Sequence, residues 1–254
     1  MRISIGKPIL GIFAAAALSY ADSVGGEVSA GIFSHSPSGV LSYELPLSSQ
    51  QIDSGEILGW EDTQNIMIKA SLEHPLPLLP NLKLGYSKIS FDASASVQSL
   101  DWGALNGYDG SIESGFDLTM HDVTLYYELL DNWVSIDTGI TARHLDGAVF
   151  LETQNPLLSY GKSVGFDTWI ALLYLKGRIE VPATDLSFQM EANALALSDT
   201  SMYDLELSAR YTVMLGLGIE GGYRAVSLDS YTLVPGLDMD LDFSGPYAAI
   251  VWDF

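Results

Sequence analysis

Apolar and polar residues alternate with a period of two over most of the chain beyond Gly25, the spacing that puts successive side chains on opposite faces of a β-strand. The longest such stretch, Val123 to Gly147, reads VTLYYELLDNWVSIDTGITARHLDG and folds about an acidic turn. A two-residue turn at Asp131-Asn132 sets Val123 opposite Ile140, Leu125 opposite Thr138, Tyr127 opposite Ile136 and Leu129 opposite Val134, a face that is nearly all apolar. The other face pairs Met120 with Arg143, Asp122 with Thr141, Thr124 with Gly139 and Tyr126 with Asp137, and it is largely polar. Alternation alone does not say which face meets water, because a soluble sandwich has the same period.

Eight further segments alternate in the same way, at 25–33, 65–74, 81–96, 168–181, 185–197, 203–215, 217–228 and 239–254. Two of them change phase, near Lys88-Ile89 and at Gly245-Pro246, as a β-bulge would cause. With the two strands of the hairpin the count is ten, eight and twelve being the alternatives. The connections sort by length. Residues 34–63, 95–115 and 146–165 read as long polar loops, whereas 75–80 (PLPLLP), 131–132, 182–184 and the region near 215 are short turns. Short turns at one end, long loops at the other and an even strand number predict an all-β fold, a transmembrane antiparallel up-and-down β-barrel with apolar residues toward lipid and polar residues toward the lumen. No apolar run beyond the first residues approaches the eighteen or so needed for a spanning helix.

Those first residues, MRISIGKPILGIFAAAALSYADS, have a basic start (Arg2, Lys7), an apolar core from Ile9 to Leu18 and a small-x-small site at Ser19-Tyr20-Ala21. Residues 1–21 read as a secretory signal peptide removed after about Ala21, and 22–254 as a single barrel domain. Cysteine is absent, which excludes a disulfide framework and a lipoprotein anchor. Cleavage removes two of the 11 bases and none of the 32 acids, so the mature chain carries a formal charge of −23. A balance so acidic excludes nucleic acid as a partner. The partners expected are outer-membrane lipid and lipopolysaccharide, with the barrel-assembly machinery during biogenesis. Oligomeric state is not legible.

Charge is also placed selectively. Seven of the nine mature cations fall on the face opposite the local apolar row, where acids join them. Lys69, Lys83, Asp137, Arg143, Lys176, Arg178, Glu191, Glu206, Arg210, Glu220 and Arg224 are therefore expected to form a network of opposite charges in the lumen. The chain ends in AAIVWDF, with Trp252 and Phe254 on one face, an aromatic ending of the kind an assembly machinery reads.

The segments LEHPLPLLPNLKLGY (72–86), LYYELLDNWVSIDTGITARHLDG (125–147), IEVPATDLSFQMEANALALSDTSMYDLELSARY (179–211), GYRAVSLDS and MDLDFSGPYAAI (within 222–250) resemble an uncharacterised family of Gram-negative outer-membrane β-barrel proteins. They cover about half of the mature chain. The resemblance implies a fold and a location and brings no activity, cofactor or functional residue with it.

Candidate chemistry is sparse. His121 and His144 come out as diagonal neighbours near the outer rim, with Asp117 close in sequence, but both histidines fall on the lipid-facing row. Asp238, Asp240 and Asp242 share a face without the closing Glu of a calcium loop. Trp102, Trp133, Trp169 and Trp252 lie near strand ends and suit aromatic girdles. The expectation is a non-enzymatic barrel without cofactor, metal or catalytic residues, structural or a narrow small-solute pore with a largely plugged, charged lumen. A surface-exposed enzyme with a site at the extracellular rim and a soluble periplasmic β-barrel binder are the alternatives.

Overall fold

The structure, a computed structural model, describes residues 24–43, 51–76, 78–155, 159–196 and 200–254. The signal peptide expected at residues 1–21 lies outside the described residues. Among the described residues eleven strands follow one another: β1 (Gly25–Tyr43), β2 (Ile52–Asp53), β3 (Thr63–Glu73), β4 (Asn81–Trp102), β5 (Leu105–Asp131), β6 (Val134–Thr153), β7 (Gly161–Glu180), β8 (Leu186–Ala196), β9 (Thr200–Met214), β10 (Leu217–Val234) and β11 (Leu237–Asp253). Each long strand pairs antiparallel with the next, and β11 pairs with β1, so ten strands close an up-and-down barrel. The two-residue β2 is an addition to the edge of β1. The closing seam is tied at the chain ends, where Gly26 N donates to Phe254 O and Phe254 N to Gly26 O, both at 2.9 Å.

The expected loops are mostly strand. β1 runs on to Tyr43, β4 to Trp102, β5 begins at Leu105, β6 ends at Thr153 and β7 begins at Gly161, which also puts Lys162 in a strand. The two phase changes have the same origin, and neither is a bulge. On β4 the pairing with β5 keeps one register from Asn81↔Tyr126 to Val97↔Gly110. On β11 the register with β1 is the same on either side of Pro246, at Phe33↔Tyr247 and Ser36↔Ser244. Pro246 lacks an N–H, and a Cβ at Gly245 would stand 2.0 Å from the Ser34 carbonyl oxygen, so this dipeptide marks a close approach of two strands.

What changes along these strands is the surroundings. The inward residues of β4 pass from Lys83 and Ser87 to Ile89, Phe91 and Val97, all buried, while the outward ones pass from Leu84 to Asp92, Ser94 and Ser96. The barrel thus has two storeys. In the lower one, apolar side chains such as Ile32, Ile140, Leu173, Leu207 and Ile250 point outward and are exposed, Leu173 at 73%. So large an apolar belt is stable against hydrocarbon and not against water. It is bounded below by Trp133, Tyr211, Trp252 and Phe254 and above by Tyr86, His121, His144 and Trp169, whose rings follow one another at 5.4, 6.0 and 4.8 Å. From His144 on β6 to Trp133 in the turn before it is eleven residues, about 28 Å for a strand tilted by roughly 40°.

In the upper storey the polarity is reversed, with carboxylates and serines outside and an apolar core within. β3 starts only at Thr63, opposite His35, and the pairing of β8 with β9 reaches up only to Ala196↔Ser201. Above these levels the wall divides into two sheets, β4–β7 and β10–β11–β1. They pack face to face, Phe243 of β11 stacking on Phe91 of β4 at 5.7 Å and on Phe116 of β5 at 5.3 Å. The segment after β2 fills one seam. Its Trp60 stacks on Phe91 at 5.9 Å and donates from Nε1 to Ser114 Oγ at 3.1 Å. Trp102, expected in a girdle, is fully buried here against Tyr43.

The hairpin keeps the expected faces with a different register. β5 and β6 pair Val123↔Ala142 and Met120↔Leu145, two residues from the expected alignment, because the turn lies at Asn132-Trp133 and a bulge falls between Glu128 and Leu130. A shift of two preserves the parity of every side chain.

Candidate functional site

The lower storey is filled from strand faces whose inward positions alternate with lipid-facing ones, so each charged side chain is aimed across the lumen by its strand parity. Near the upper end, Asp204 of β9 joins two guanidinium groups from opposite walls. Arg143 of β6 donates to Asp122 Oδ1 and Oδ2 at 2.7 and 2.6 Å and to Asp204 Oδ2 at 2.8 Å. Arg224 of β10 donates to both Asp204 oxygens at 2.9 and 2.8 Å and to Ser87 Oγ at 3.2 Å. Arg143 and Arg224 are 1% and 3% exposed. Beside them Thr124, Thr141 and Asn193 form a neutral chain with two links of 2.7 Å.

One level down, Glu191 and Glu206 face each other across β8 and β9, a repulsive arrangement by itself. Lys69, reaching over from β3, lies 3.5 Å from Glu191 and 2.5 Å from Glu206, and Lys83 of β4 contacts Glu191 as well. Lys176 sits opposite both Asp137 and Glu191 in the register of β7 with its neighbours. Lower still, Arg210 is held by Glu27 through a two-pronged contact at 2.7 and 2.8 Å and by Glu220 at 2.9 and 2.8 Å. Tyr247 donates to Glu220 at 2.6 Å and Asp253 lies 3.4 Å from Arg210. Arg178 is 3.5 Å from Glu180 at the lower mouth.

These groups leave little room. Two cavities of about 20 Å³ flank the Lys69 layer, each large enough for one water molecule. Above Arg224, whose guanidinium lies 5.3 Å over the Phe33 ring, the apolar core begins. His35 stands at that boundary between Phe33 and Phe91, with Nε2 3.0 Å from Asn65 Oδ1. Asn65 Oδ1 also accepts from Ser90 N at 2.9 Å, where β3 and β4 have parted.

Of the residues chosen from sequence, Lys69, Lys83, Glu191 and Glu206 meet in one layer, Arg143 and Arg224 in a second, and Arg210 with Glu220 in a third. Asp137, Lys176 and Arg178 face the lower mouth. Asp204, the bridge between two of the chosen arginines, was missed, although it alternates in phase with Glu206. Tyr247 and Trp60 were missed as well. Trp252 and Phe254 pack at 5.0 Å on the outer surface of the closing seam.

The rim candidates do not form a catalytic cluster. His121 and His144 are directly opposed, closer than the expected diagonal, and belong to the outward aromatic row. His144 contacts Asp167 at 2.7 Å, whereas Asp117 is engaged by Lys88 at 2.9 Å. Asp238, Asp240 and Asp242 line the outer surface of β11. Partial burial, with the Asp229 and Asp242 carboxylates nearby, pushes the Asp240 carboxyl above its usual range. Among the described residues no three acidic or histidine side chains are placed to hold a metal ion.

No family model and no curated protein matches the chain. Among solved structures, the outer membrane protease OmpT from Escherichia coli is similar with a TM-score of 0.51 at 11% identity, over 92% of this chain and 98% of that one. The translocator domain of the autotransporter NalP from Neisseria meningitidis gives 0.45 at 11% identity, over 95% and 92%. Ail of Yersinia pestis gives 0.38 at 10%, over 90% and 99%. At such identities the likeness to OmpT is one of fold, and the chain has the fold of an outer-membrane β-barrel.

Proposed function

We propose that the protein is an integral barrel of a Gram-negative outer membrane with a sealed lumen and a structural role, displaying its upper storey at the cell surface. The observation that carries this reading is the Arg143–Asp204–Arg224 bridge, which spans the lumen directly beneath an apolar plug. A diffusion channel needs a continuous wet path, and ten-stranded barrels have an interior that side chains can fill. Here they fill it twice, with ion pairs below and with aromatic rings above. The outward belt bounded by two aromatic rows supports the membrane setting, and the leader at residues 1–21 supports export. Outer-membrane lipid and lipopolysaccharide are the partners this surface fits.

The test is single-channel recording on the refolded full-length barrel in planar bilayers. No steady conductance is expected, and any brief current should prefer cations. A large, steady, porin-like conductance from the unmodified protein would overturn the sealed-lumen reading.

A further inference from the structure

Beneath its charged layers the lumen opens into a vestibule of about 310 Å³ at the end of the barrel that carries the short turns. Seven carboxylates line it, against the two cations Lys176 and Arg178. Five of the seven have direct partners: Glu27 and Asp253 contact Arg210, Glu73 accepts from Tyr126, Glu128 accepts from Asn81, and Glu180 faces Arg178. Asp137 is different. It is 6% exposed, it faces the vestibule, and among the described residues it has no hydrogen bond and no ion pair within 4 Å, although Lys176 lies opposite in the register. Lys176 and Lys83 act on this carboxylate only from beyond contact distance, so an incoming cation can make the direct ion pair that it lacks.

We propose that this vestibule binds a linear polyamine, with one ammonium group at Asp137 and the next toward Glu128 and Asp131 at the rim. A single metal ion does not fit, because no three of these acids converge. The negative charge is spread over the wall, so the complementary ligand is one whose positive charge is spread along a chain. A volume near 300 Å³ is at the small end of ligand pockets. The bridge above Lys69 ends the cavity, which makes it a receptor pocket open to one side.

The proposal takes its dead end from the sealed-lumen reading, but the two fail separately: a conducting barrel that still bound polyamine at Asp137 would overturn only the former. The experiment is calorimetric titration of spermidine into the detergent-refolded full-length protein at fixed ionic strength. Saturable one-site binding is expected, weakened at least tenfold by Asp137→Asn. The double variant Glu128→Gln, Asp131→Asn alters only the exposed rim, should weaken binding several-fold, and decides the matter if Asp137→Asn refolds poorly. Asp238→Asn with Asp240→Asn, on the upper storey, should leave binding unchanged. Absence of saturable heat, or an equal loss from the upper-storey pair, would overturn the proposal, since both would mean diffuse attraction to an acidic protein.

Discussion

Asp204 shows how one carboxylate can hold two walls together. Its two oxygens accept three charge-assisted hydrogen bonds from Arg143 and Arg224, so removing its charge leaves two buried cations short of a counter-ion. Breaking a buried pair from one side costs about 3–5 kcal/mol. Asp204→Asn should therefore lower the free energy of urea unfolding in lipid vesicles by that order, and the loss should shrink when Arg224→Leu is combined with it. A loss in the double variant equal to the sum of the two single losses would remove the bridge from the account. The sequence revealed that Arg143, Arg224 and Glu206 share the lumen, because parity is a local property. It did not reveal that Asp204 is the hub, because the contact joins residues 61 and 20 positions away and depends on the diameter and tilt of the closed barrel.

At the level of elements, parity was readable and extent was not. The β5–β6 hairpin came out with its faces right and its register shifted by two, since the displaced turn and the one-residue bulge near Leu129 together move the pairing by an even number. The upper halves of β4 to β7 looked like loops because their apolar residues change sides where the strand leaves lipid for water. A pattern search that holds the apolar face constant reads this reversal as a break. Lys88, Ser90 and Asp92 continue the outward row of Leu82, Leu84 and Tyr86. A cysteine at Ser94, exposed on that row, should accordingly be labelled by an impermeant reagent on intact cells, while one at Ala183, in the turn between β7 and β8, should be labelled only after lysis. Labelling of Ala183 alone would turn the barrel upside down.

For the whole molecule, the decisive property is that the same strands serve two solvents. The lower storey is apolar outside and charged within, and the upper storey is the reverse. Leu207, exposed in the middle of the lower belt, tests this directly: Leu207→Arg should cost about 2–4 kcal/mol of folding free energy in bilayers. In the upper storey, Ser94→Arg on the corresponding outward row should cost almost nothing. Comparable losses at the two sites, read from vesicle-folding titrations, would dismantle the two-storey description. This division was only half legible. The alternation, the sorting of connections by length and the one-sided placement of the cations pointed to a membrane barrel, but the long segments 34–63, 95–115 and 146–165 carried no sign that their residues would join Phe91, Phe116 and Phe243 in a second core.

The reversed upper storey also bears on how such a chain reaches its place. If the barrel inserts from the side of its short turns, every long hairpin must pass its tip through hydrocarbon before the two sheets can meet on the far side. Those tips carry outward carboxylates, among them Asp92, Asp117, Asp146, Asp167 and Asp240. Drawing acids through a bilayer is unfavourable at each crossing, by an amount that falls as the bilayer thins. The apolar residues that later form the upper core travel on the same hairpins and gain nothing until both sheets have arrived. The barrier to assembly is thus set by the part of the protein that never resides in the membrane, and a locally thinned or held-open bilayer is the physical aid that this architecture calls for.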